Sequence, residues 1–316
     1  MSERARTPEA QACGAVCMVR PAHFGSNAET ASSNFFQRSS AGLGDVALRA
    51  QREFDALALA LERAGVEVHC FDGQRDAALP DEVFPNNWLS LHADGTAVIY
   101  PLLAPNRRRE RRSDVLAALE QHGYRVDRVV DLSALEARGE YLEGTGSLVL
   151  DRVERVAYAC LSPRTHANAL AEFGRALDYE IVAFHAVDGA GRPIYHTNVL
   201  LSVGARFAAL CAGAIRDRDG RRRVCAGLER SGHELIELSN GELESFGGNL
   251  LELNGSDGNV IALSAAALAA FAAPTRRALE RHGRLVAVDV GTIERVGGGS
   301  VRCMLAEVAL PLQSTA

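Results

Sequence analysis

The sequence predicts an α/β (α+β) fold assembled from repeated strand–strand–helix modules. Three observations predict it. A short Gly/Asn-rich stretch that runs into an apolar strand can be quoted four times, and its opening a fifth time. The marker positions Asn87, Gly146, Asn198, Asn249 and Cys303 are separated by 59, 52, 51 and 54 residues. Near-constant spacing is the mark of a repeat architecture in which each unit is one supersecondary module. No Pro/Ser-rich linker or low-complexity tract divides the chain, and strands alternate with helical patterns. Residues 1–316 are therefore read as one domain.

The elements follow in order. Met1 to Gly14 is polar, has no apolar signal core and is read as a flexible tail. Val16-Cys-Met-Val-Arg-Pro is the strand expected to complete a ring if the modules close on themselves. Phe84-Pro-Asn-Asn-Trp-Leu-Ser-Leu leads to Ala97-Val-Ile-Tyr and a helix after Arg112. The basic run Arg107 to Arg112 is read as the solvated start of that helix. Leu142-Glu-Gly-Thr-Gly-Ser-Leu-Val-Leu leads to Val156-Ala-Tyr-Ala-Cys-Leu and a helix from Thr165. His196-Thr-Asn-Val-Leu-Leu-Ser-Val leads to Arg206-Phe-Ala-Ala-Leu. Gly247-Gly-Asn-Leu-Leu-Glu-Leu leads to Val260-Ile-Ala-Leu-Ser and an alanine-rich helix through Phe271. Gly298-Gly-Ser-Val-Arg-Cys-Met-Leu repeats the opening once more. In a ring the starts of these strands converge, so residues far apart in sequence meet at a central site.

Bulk properties narrow the function. With 34 Lys+Arg against 40 Asp+Glu, the net charge of −6 argues against a general nucleic-acid binder. Seven scattered cysteines form no CxxC pair, which speaks against a disulfide framework or a zinc site. The longest apolar run, Ala265 to Ala273, is too short to span a bilayer. The expectation is a cytoplasmic, thiol-reducing protein with no metal, no cofactor and no membrane or nucleic-acid partner. Homo-oligomerisation is left open.

The convergent positions hold Asn86, Asn87, Glu143, His196, Asn198, Asn249 and Cys303. One thiol, one imidazole and one carboxylate are the parts needed to activate a nucleophile and move its proton. Each has a bland reading: a strand cysteine is usually a small buried hydrophobe, His196 could bond a carbonyl, and Glu143 could cap a turn. Their matching places in successive units make the case for chemistry. Cys303 follows Gly297-Gly-Gly-Ser-Val-Arg, and glycines let backbone approach a ligand closely. Competing motifs fail. The triple glycine lacks the Gly-Lys-Ser/Thr of a P-loop, His233-Glu234 has no second His for HExxH, and no G-x-S-x-G is present.

On these residues the chain resembles the guanidino-group-modifying superfamily (penteins), which includes arginine deiminases, dimethylarginine dimethylaminohydrolases and amidinotransferases. The resemblance runs from Met18-Val-Arg-Pro to Met304 and implies a five-bladed α/β propeller of ββαβ modules with pseudo-fivefold symmetry. It implies Cys303 as nucleophile, His196 as proton shuttle and Glu143, opening Glu143-Gly-Thr-Gly146, as the group that orients the imidazole. The segments Met18-Val-Arg-Pro-Ala-His-Phe-Gly, Phe84-Pro-Asn-Asn-Trp and Tyr195-His-Thr-Asn are similar to the citrulline-utilisation hydrolases (citrulline ureidases).

The departures are informative. Arginine deiminases place guanidinium-binding aspartates at three positions, and the matching residues here are Asn87, Gly146 and Asn198. A buried guanidinium without carboxylate partners is penalised by several kcal/mol, on the order of the desolvation cost of one ion. A neutral urea needs only donors and acceptors, which Asn supplies. The expectation is thus a cysteine-dependent hydrolase of the citrulline ureido C–N bond giving ornithine, CO2 and ammonia. Asn86, Asn87, Asn198 and Asn249 would bind substrate, with Arg20, Arg302 or Arg295 on its carboxylate. The alternatives are a guanidine hydrolase of the arginine deiminase or dimethylaminohydrolase type, and a non-catalytic binding ring.

Overall fold

The computed structural model describes residues 9–313. It contains five three-stranded sheets, and each is built the same way. An inner strand pairs antiparallel with a middle strand, and the middle strand pairs parallel with an outer one. In four of the five sheets the inner strand opens the module in chain order, and in all five helical chain leads from middle to outer strand, because a parallel pair needs a crossover.

The first sheet joins both ends of the chain: β1 (Ala15–Arg20) runs parallel to β2 (Glu67–Asp72), with the helix Val46–Arg63 between them. The next module is β3 (Leu89–Leu91), β4 (Thr96–Ile99), the helix Ser113–Gln121 and β5 (Arg128–Asp131). It is followed by β6 (Leu148–Asp151), β7 (Val156–Cys160), the helix Ala167–Leu177 and β8 (Glu180–Phe184). The fourth holds β9 (Leu201–Val203), β10 (Phe207–Leu210), the helix Arg218–Arg230 and β11 (Glu234–Glu237). The fifth holds β12 (Leu251–Gly255), β13 (Gly258–Ser264), the helices Ala265–Ala270 and Ala273–Glu280, and β14 (Arg284–Val288). Finally β15 (Ala306–Glu307) returns to pair antiparallel with β1 as the inner strand of the first sheet.

This is the five-bladed architecture that the resemblance implies. Inner strands β3, β6 and β9 are buried along their whole length, whereas the outer strand β5 is largely exposed. Helices cover the sheets with one apolar stripe. In Val46–Arg63 the buried residues Ala50, Phe54, Leu57, Ala58 and Leu61 recur at helical spacing, and the Asp45 side chain caps the first turn by accepting from the Leu48 N–H.

The tail expectation is corrected for residues 9–14, while residues 1–8 lie outside the described residues. Gln11 Nε2 donates to the carbonyls of Leu150 (2.9 Å) and Val203 (3.0 Å), on β6 and β9. Glu9 pairs with buried Arg152, and Cys13 bridges Leu253 on β12. These polar residues look solvated in sequence, but their partners come from three different modules. Among the described residues no helix is long and apolar enough to cross a membrane.

Candidate active site

Short turns precede the inner strands, and they carry the marker residues. Pro85–Asn87 leads toward β3, Gly144–Ser147 into β6, Thr197–Val199 toward β9 and Val301–Met304 toward β15. Asn249 stands two residues before β12. The spacing near 50 residues is thus the length of one module, and the five turns meet at one end of the inner strands.

Cys303 is buried, 3% exposed. Its Sγ accepts from Asn198 Nδ2 at 3.4 Å and Asn249 Nδ2 at 3.3 Å. His196 Nε2 lies 2.9 Å from Glu143 Oε2. Glu143 is fully buried; burial alone would raise its carboxyl, but Arg164, the His196 bond and Arg107 hold it well below the usual carboxylate range. It is therefore an acceptor, Nε2 carries the hydrogen, and Nδ1 is left as the acceptor nitrogen of the neutral ring. Burial pushes His196 down to about 4, with Glu143 opposing the shift, so the imidazole is neutral at neutral pH.

Gly146 shapes the corner beside that ring. A Cβ there would lie 2.6 Å from Asn87 Nδ2 and 2.7 Å from His196 Nδ1, so no aspartate fits. Asn87 is held in one orientation: Arg107 donates to its Oδ1 at 2.9 Å, and its Nδ2 donates to Asn86 Oδ1 at 3.1 Å. Asn87 thus presents N–H, not oxygen, beside the imidazole. The glycine run over Cys303 is fixed rather than flexible. Gly298 has φ +65° and no room for a Cβ against Asn34. Asn34 Nδ2 donates to the carbonyls of Gly297 (3.3 Å) and Gly298 (3.2 Å), and the Tyr195 hydroxyl donates to Gly298.

The structure gathers Cys303, His196, Glu143, Asn86, Asn87, Asn198 and Asn249, and it corrects the arginines. Arg20 is partly exposed and paired with Asp55. Arg302 lies against Glu307 at 2.8 Å and lines a second cavity with Gln11 and Ser202. Arg295 donates to the Ser39 carbonyl. None of the three borders the pocket over Cys303, whose cations are Arg107 and Arg164.

Arg107, dismissed in the sequence as part of a solvated run, is 2% exposed and bound by Glu110 through Nε and Nη2. The i,i+3 spacing of Arg107 and Glu110 was the one available sign of this pair. Arg164 donates to Glu143 (3.2 Å) and to the Ser33 hydroxyl (3.0 and 2.8 Å), and stacks over Tyr195. Asp81 was also missed. Its Oδ2 accepts from Asn27, its buried Oδ1 has no hydrogen-bond partner, and burial raises its carboxyl above the ordinary range. It lines the same pocket. Among the described residues no cluster of His, Cys, Asp or Glu is suited to a metal ion.

Comparison with known proteins agrees with this architecture. The N-terminal domain of ArgZ, an arginine dihydrolase from the ornithine–ammonia cycle in Cyanobacteria, superposes with a TM-score of 0.71 at 17% identity, covering 93% of this chain and 97% of that domain. Against full-length ArgZ the chain covers 41% of the relative's length. Unliganded AgrE gives a TM-score of 0.73 at 18% identity, covering 95% of this chain and 40% of AgrE. Dimethylarginine dimethylaminohydrolase in its adduct with S-methyl-L-thiocitrulline gives 0.62 at 18% identity, covering 92% and 98%. No curated protein matches by sequence. The family described as N,N dimethylarginine dimethylhydrolase, eukaryotic, matches residues 20–310. With that match running over most of the chain, the chain belongs to the dimethylarginine dimethylhydrolase-like family of the pentein superfamily, cysteine hydrolases of guanidino-type C–N bonds.

Proposed function

We propose that the protein hydrolyses the ureido group of citrulline to ornithine, carbon dioxide and ammonia. The observation that carries this reading is Asn87. Arg107 occupies its oxygen, so the amide offers a hydrogen-bond donor beside His196. A ureido oxygen accepts from such a donor, whereas a guanidinium has only N–H groups and would meet N–H with N–H. Gly146, which leaves no space for a carboxylate, points the same way.

In this mechanism the Cys303 thiol first gives its proton to His196 Nδ1, and the thiolate Sγ then bonds to the ureido carbon. The imidazolium, held by Glu143, then protonates the departing δ-nitrogen as its C–N bond breaks, releasing ornithine. A carbamoyl thioester remains. Water adds to it, His196 takes the proton, and sulfur leaves. The carbamate released decays to carbon dioxide and ammonia. The substrate carboxylate is assigned to Arg164, whose Nε–Nη2 edge rests on neutral partners only, the Ser33 hydroxyl and the Thr30 carbonyl, with which an anion competes. Arg107 is already committed to Glu110 and Asn87.

Asp81 favours a second reading, a guanidine substrate, because its unpartnered oxygen could accept from a guanidinium. The folds shared with arginine dihydrolases and dimethylarginine dimethylaminohydrolase lend it support. Incubation with citrulline, arginine and dimethylarginine, assaying ornithine, citrulline and ammonia against a Cys303→Ala control, separates the two. Ornithine from citrulline with no product from the guanidines supports the ureidase. Faster turnover of either guanidine replaces it with the second reading.

A further inference from the structure

We propose that Asn198 and Asn249 form a two-pronged hole for the anionic sulfur of Cys303, serving the nucleophile rather than the substrate. The inference rests on the reading of Cys303 as nucleophile but not on the ureido assignment.

Asn249 Nδ2 lies between two acceptors, the Asn198 backbone carbonyl at 3.0 Å and Sγ at 3.3 Å. A carbonyl can only accept, so the amide atom facing sulfur is nitrogen. Asn198 Nδ2 completes the pair at 3.4 Å. Both asparagines are buried, and both leave their Oδ1 without a hydrogen-bond partner. An unsatisfied buried amide oxygen costs free energy. Two such oxygens sit beside one sulfur, so the arrangement gives priority to where the nitrogens point.

A neutral thiol is a weak acceptor and gains little from two amide N–H groups. A thiolate in a water-excluded pocket gains much more. The nearby cations cannot supply that stabilisation, because Arg107 and Arg164 are engaged by Glu110 and Glu143. Sulfur is negative twice in the cycle, once when its proton has moved to His196 and again when it leaves the covalent intermediate. A hole of neutral donors holds it both times without any charge on the substrate.

The test is a pH titration of the ultraviolet thiolate band, taken as the difference from a Cys303→Ser protein, in unaltered, Asn198→Ala and Asn249→Ala backgrounds. Burial pushes Cys13 and Cys160 up to about 12, so they stay silent at lower pH. The expected result is an upward move of the midpoint, with the thiolate fraction below it falling at least about tenfold per lost donor. Asn198→Ala keeps the backbone carbonyl that Asn249 uses, so the test stands even if Asn249→Ala fails to fold. Unmoved midpoints with lost turnover would overturn the inference and make both amides substrate ligands. Absence of ornithine from citrulline in the unaltered protein would sink the ureidase reading, while the titration would still decide this one.

Discussion

Replacing Asn87 by aspartate exchanges the N–H that faces His196 for a second carboxylate oxygen while leaving the Arg107 contact in place. For citrulline the change removes one donor and sets oxygen against the ureido oxygen. Leaving a buried acceptor unsatisfied costs about 1–3 kcal/mol, and every 1.4 kcal/mol is about tenfold. The expected loss in kcat/KM on citrulline is therefore roughly a hundredfold. For arginine the new charge is attractive: about 4 kcal/mol at 4 Å for an effective dielectric constant of 20. Arg107, 2.9 Å from the same group, already claims most of it, so a gain of about tenfold is a reasonable expectation. The arginine-to-citrulline preference should move by about a thousandfold, read from steady-state assays of both substrates with thermal melting as the check on folding. A preference unchanged within about threefold would refute the claim that amide orientation selects the ureido group.

Other outcomes follow from the same geometry. Arg164→Lys keeps a charge beside Glu143 but loses the two-pronged edge, so KM for citrulline should rise about tenfold with kcat altered far less; an unchanged KM would move the carboxylate elsewhere. Gly298→Ala puts a side chain at φ +65° against Asn34 and should cost about 1–3 kcal/mol of stability together with most of the activity, measured by melting and turnover. His196 gives a pH signature. Its folded value, about 4, lies below the ordinary 6.5, so between them the unfolded chain binds a proton that the folded chain refuses. Its contribution is complete above 6.5 and is lost as pH falls toward 4; in a His196→Asn protein the melting temperature should therefore fall less steeply across that window. Equal slopes would contradict a neutral buried imidazole.

Much of the fold was legible because each module opens on a turn whose marker residue reaches the common centre. Asn87, Gly146, Asn198, Asn249 and Cys303 therefore recorded the repeat and the site together. What stayed hidden depended on long-range partners. Arg107 lies among six residues that read as a solvated helix start, and Glu110, Asp81, Glu143 and Asn87 together make its burial tolerable. Arg164 has no local signal, since Glu143 stands at the far end of its own module and Ser33 comes from another. The three arginines chosen from sequence were near the right motifs but do not line the pocket: Arg302 adjoins Cys303, yet its guanidinium pairs with Glu307. Glu9 and Gln11 show the same limit, polar residues whose partners are revealed only when the modules close.

The pairing of β15 with β1 sets when the nucleophile comes into being. Cys303 stands three positions before β15, so its turn is anchored only when the last strand reaches a partner laid down almost three hundred residues earlier. Four modules can fold from local contacts, but this closure has high contact order and is expected to come late. During synthesis the protein would therefore pass through a nearly complete ring with no reactive centre, and the same seam would be where activity is first lost under denaturing stress. Activity and ring closure should then disappear at a lower denaturant concentration than helical content, which makes the active site a reporter of the ring's integrity.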